Sequence, residues 1–157
     1  MTPMRVCEIG RTSDNQRAIV VLEDVEQRFR LAFATDPHEA QRLAREMGRA
    51  RCTCNPAYDF IELLLDAAEA TISRIVLDDA GTKGIGAIVD LWLTRRSEGL
   101  ILRCYPPDAL ALALRAKAPI YATPQVLVHA QRLSDRAVLP PGDDARGWVQ
   151  RVNPDDF

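Results

Sequence analysis

Two histidines and four cysteines in 157 residues leave little material for a metal centre built on nitrogen and sulfur. Cys52 and Cys54, in "RCTC", are too few and too close for a structural zinc, and His38 and His129 sit on distant segments. Also missing is an N-terminal stretch with a basic start, an apolar run and a small-residue cleavage site. Reduced thiols in a cytoplasmic protein are therefore expected, with Cys7 and Cys104 filling apolar space. No apolar segment reaches the roughly 18 residues of a membrane helix, so no membrane partner is expected. Neither charge sign dominates: 20 Lys and Arg face 22 Asp and Glu, a net −2. The whole molecule is then no electrostatic trap for nucleic acid, and such binding would need a local basic patch. Low-complexity tracts and internal repeats are absent as well.

What is present is an apolar fraction of 47% and a charged fraction of 27%, as in soluble globular proteins, over a length suited to one domain. That domain is expected over residues 1–132. A polar, proline-containing tail follows over 133–157, where Trp148 would pin it to the body or to a second subunit.

Along the chain, "RVCEIG" alternates poorly but ends at Gly10 as a first strand would, while "RAIVVLED" (17–24) and "RFRLAFAT" (28–35) read as a hairpin joined at "VEQ". Asp36-Pro37-His38-Glu39 is a helix start, with the acid as cap and Glu39 placed to reach back to it. The spacing of Ala40, Leu43, Ala44 and Met47 predicts a helix over 37–47. Asn55-Pro56 opens a second over 56–68, with Phe60, Ile61, Leu64, Leu65 and Ala68 on one face. Three meandering strands follow at 71–79, 84–94 and 99–105, with Trp92 expected in the core. "PDALALALRAK" predicts a helix over 107–117, apolar nearly all round and so covered on more than one side. A short strand at 120–122 and a last helix from Pro124 complete the domain. The fold class is α+β: a mixed, largely antiparallel sheet packed by three to four helices.

This order, and "PxDAxALALRxxxPIY" above all, resembles the bifunctional nuclease family, named for DNase and RNase activity. The resemblance runs from Arg5 to Gln131 and is most specific over Pro106–Tyr121. Glu39-Ala40 matches the family's Glu-Ala. Where the family has Asp-x-Arg-Pro-Ser-Asp, this chain has Arg103-Cys104-Tyr105-Pro106-Pro107-Asp108; where it has Thr-His-Asp, Ala57-Tyr58-Asp59 stands. The resemblance implies a nuclease fold, a homo-oligomer, and catalytic candidates Asp108, Asp59, Glu39, Tyr105 and Tyr58. Arg103, Arg115 and Pro107 become the substrate-binding candidates.

Phosphodiester hydrolysis needs carboxylate-held metal or a general acid and base, and a cation to offset phosphorane charge. Glu39, Asp59 and Asp108 offer oxygen ligands for Mg²⁺ or Mn²⁺ if their helix starts converge. Each acid also sits in the first turn of an expected helix, where capping alone explains a carboxylate. Tyr58 and Tyr105 are phenol donors or fillers of vacated volume. His38 and His129 read as surface residues, and Arg42, Arg45, Arg49 and Arg51 as a solvated helix face rather than a phosphate patch. Three readings follow: a nuclease acting on nucleic acid, a family fold repurposed for a small molecule, and a non-catalytic oligomeric scaffold.

Overall fold

In the computed structural model, which describes residues 1–12, 16–48, 55–81, 84–132 and 150–151, two three-strand meanders are zipped together by a late strand. β1 (Thr2–Arg11), β2 (Ala18–Asp24) and β3 (Phe29–Thr35) form the first; β4 (Ala70–Asp79), β5 (Ile85–Leu93) and β6 (Glu98–Cys104) form the second. β7 (Ile120–Ala122) enters between β1 and β4, antiparallel to the first and parallel to the second. Among the described residues the other ladders are antiparallel, including two-residue β8 (Gln131–Arg132) beside β3 and β9 (Gln150–Arg151) beside β1. The fold is the expected α+β. No helix among the described residues is long and apolar enough to cross a membrane.

Strand alternation decides which face is buried. Leu22 pairs with Leu31, Ile75 with Val89 and Leu77 with Ala87, and all six face the helices and are buried. β1 alternates poorly in sequence because a bulge lies between Val6 and Glu8. Cys7, expected in apolar space, is exposed there, and its thiol donates to Glu23 Oε2 at 3.5 Å. Trp92, expected in the core, is 45% exposed, because its neighbour Leu91 takes the inward position of β5. Cys104 is half-buried against the core, as expected.

α1 (Pro37–Met47) buries Ala40, Leu43 and Ala44, and α3 (Pro106–Ala116) buries Ala109, Leu110, Ala111 and Ala113. The alanines let α1, α3 and the sheet approach closely. Leu112 and Leu114 are half-buried, so α3 is covered on more than one side. Each fully buried Leu contributes about 1.5–3 kcal/mol. α2 (Pro56–Ala67) departs from its expected face: Tyr58 is buried and Ile61 and Leu65 touch the core, but Phe60, Leu63 and Leu64 are exposed. The helix is held at its first turn, so only a narrow stripe reaches the sheet. α4 (Pro124–Leu127) is a single turn. Trp148, Cys52, Cys54, Arg49 and Arg51 lie outside the described residues, as does most of the expected tail.

Candidate functional site at the meeting of three helices

α3 begins with two prolines, whose missing N–H groups cost nothing in a first turn where no helical acceptor exists. Tyr105 is the cap residue and makes no side-chain cap bond. Asp108 is consequently the third helical residue, and its carboxylate serves another helix. Tyr58 donates its hydroxyl to Asp108 Oδ1 at 2.6 Å, and Arg42 Nη2 lies 3.7 Å from the same oxygen. α1, α2 and α3 each contribute one group. Capping does not explain this acid.

The electrostatics fix the protonation states. Burial pushes the Tyr58 phenol far above its ordinary pKa, and the hydrogen bond to Asp108 and that group's negative charge add to the effect. Tyr58 is therefore a neutral donor across the physiological range. Cys104 is raised too, first by burial and then by the Asp108 charge, although a backbone hydrogen bond from Tyr105 acts against it. It is a thiol, with little thiolate to act as nucleophile.

Arg115, two turns along α3, is half-buried among acids. It pairs with Asp59, with Glu62 at 3.0 Å and with Glu46 at 3.7 Å. Burial alone would lower its pKa, but Asp59, Glu46 and Glu62 outweigh that and raise it. Asn55 extends the cluster, donating to Glu46 Oε1 at 3.0 Å and to the Arg42 carbonyl at 3.4 Å, and so ties α2 to α1 instead of capping α2. Arg115 is spent on this clamp. Glu39 accepts from Thr35 Oγ1 at 2.8 Å, not from the Asp36 backbone, while Asp36 itself caps through the His38 N–H.

The three acids thus have three different partners, and no group of three or more His, Cys, Asp or Glu side chains placed to hold a metal occurs among the described residues. Pro107 is fully buried, which removes it from direct substrate contact. Arg103 pairs in register with Ile88, between inward-facing Ala87 and Val89, so it lies on the sheet face opposite α3. Tyr105 is half-exposed at the rim, and His38 and His129 are exposed. The group whose role the sequence concealed is Arg42: it is half-buried against α3, not part of a solvated face. Its position directly before buried Leu43 was the available signal.

Residues 20–134 match the family model of the bifunctional nuclease domain. That span holds every residue of the site, and the chain belongs to this family. No curated protein matches the chain.

Proposed function

We propose that the protein is a nuclease that hydrolyses single-stranded DNA or RNA with Asp108 as its working carboxylate. One observation carries this reading: Oδ1 accepts from Tyr58 and has Arg42 3.7 Å away, while Oδ2 takes no hydrogen bond from any described residue. Tyr58, held neutral, fixes the carboxylate and leaves that second oxygen for substrate, water or metal.

A cage of Glu39, Asp59 and Asp108 does not fit the residues as placed. Mg²⁺ and Mn²⁺ suit oxygen donors, and Mg²⁺ in particular is often held by one or two carboxylates, waters and substrate phosphates, a mode for which Asp108 suffices. Such an ion would supply an acidified water and polarise the phosphoryl oxygen. Arg42 offsets charge on the phosphorane beside Asp108. Tyr105, half-exposed at the start of the same helix, is the phenol available to protonate a substrate oxygen. The reading includes a cytoplasmic homo-oligomer.

The test is cleavage of single-stranded DNA and RNA oligonucleotides with Mg²⁺ or Mn²⁺. Cleavage abolished by EDTA is the expected result, and activity that persists in EDTA would remove the metal from the scheme. A small-molecule substrate is the second reading, favoured by the charge at the rim: Arg115 is neutralised by three acids and Arg103 lies on the far face. Absence of cleavage with every divalent metal would select that reading or the non-catalytic scaffold.

A further inference from the structure

β6 ends the sheet with no strand beyond it among the described residues. It is seven residues long, pairs with β5 in unbroken register from Ala87 to Leu93, carries no proline or bulge, and has its two charged residues, Glu98 and Arg103, towards its ends and none at its centre. Proline, bulges and charged side chains are the devices that normally blunt an edge. Its centre is instead apolar: Leu100, Ile101 and Leu102 are 42%, 70% and 44% exposed. Leu100 and Leu102 pair with buried Leu91 and Val89 and continue the core stripe to the edge, while Ile101 faces the other way.

Gly99 gives the second observation. Its backbone angle is open to any residue, and an added Cβ would meet the Leu91 carbonyl oxygen at 3.8 Å, an ordinary contact. Nothing within the described chain requires glycine there, and such a strand glycine commonly marks close approach from outside. Beside it on β5 is exposed Trp92. At the far end of β6 is exposed Arg103, which has no ion pair or hydrogen bond among the described residues.

We infer that β6 pairs antiparallel with β6 of a second copy of this chain about a two-fold axis through Ile101. A two-fold normal to the sheet keeps both helix layers on one side and requires helix-facing residues to pair with helix-facing residues. With Ile101 opposite itself, Leu100 lies opposite Leu102 of the second copy, and the two stripes merge into one apolar layer. On the outer face, Arg103 falls opposite Gly99 of the second copy. The missing side chain there leaves the guanidinium a path onto the Trp92 indole beyond it. The apolar centre, the glycine gap and the Arg and Trp rows are thus self-complementary in one register.

Sedimentation equilibrium at micromolar concentration tests this. The expected mass is twice the 17.5 kDa of the chain, falling to 17.5 kDa in Ile101→Lys and in Gly99→Val with circular dichroism unchanged. Tryptophan emission should move to longer wavelength in both variants. Because either variant could fail to fold, Ile101→Cys gives an independent readout. Directly opposed strand residues have Cα atoms about 4.5–5.5 Å apart, within disulfide range, so mild oxidation should cross-link this variant into a dimer and leave wild type uncross-linked. A wild-type monomer, an oligomer that survives both disruptive variants, or an Ile101→Cys protein that does not cross-link would each overturn the inference.

Discussion

Asp24 and Asp108 show how differently two acids can be used. Asp24 is buried at the β2–β3 turn, where it accepts from the Phe29 N–H at 2.8 Å and from Arg28 Nε at 3.1 Å. Burial would raise its pKa, but hydrogen bonds from the Phe29 backbone and the Arg28 side chain and backbone outweigh this and lower it. Glu23 beside it is also lowered, chiefly by the hydrogen bond from Arg30. Groups with depressed folded pKa values stabilise fully above their unfolded values near 4, and that contribution is lost as pH falls through the folded pKa. Acid unfolding should therefore start below about pH 4. Asp24→Ala, which orphans two backbone donors, should cost about 2–4 kcal/mol in urea titration. None of this was legible in "LEDVEQRF": the turn could be located, but not its buried carboxylate. Asp108 was legible as a candidate because it opens a helix in a recognisable motif. Its partner across the fold, Tyr58, could be named only through the family's second motif, and their hydrogen bond was out of reach because it joins two helices 50 residues apart in the chain.

The elements followed their local signals closely. Cap-then-proline starts and helical spacing placed α1 and α2, and the alanine and leucine run placed α3. Sheet order was not legible, because three residues of β7 carry no mark that they will enter between two meanders. The α2 face was misjudged for a related reason: periodicity says which residues share a side, not whether anything covers it. Leu110→Ala in α3 should cost about 2–5 kcal/mol, while Leu63→Glu on exposed α2 should stay within about 0.5 kcal/mol of wild type in the same titration. A large loss at Leu63 would mean that a partner buries the exposed side of α2.

Across the whole molecule, charge is nearly balanced, and what matters is how it is grouped. Arg115 is enclosed by Asp59, Glu46 and Glu62, which locks α3 to α2 and α1, whereas Arg42 and Asp108 remain at the rim with a phenol between helices. One cluster holds the helices, and the other is the one to which the proposed function assigns the chemistry. Family membership sets the class of the molecule, and the proposed function rests on Asp108. The most direct measurement is single-stranded nucleic acid cleavage by Asp108→Asn, with thermal unfolding followed on the same samples. Asn can still accept from Tyr58 and forfeits only a half-exposed ion pair, so the melting temperature should move by no more than a few degrees. Cleavage should fall by about a hundredfold or more, because charge and basicity at Oδ2 are gone. A folded Asp108→Asn protein that cleaves at the wild-type rate would contradict the account.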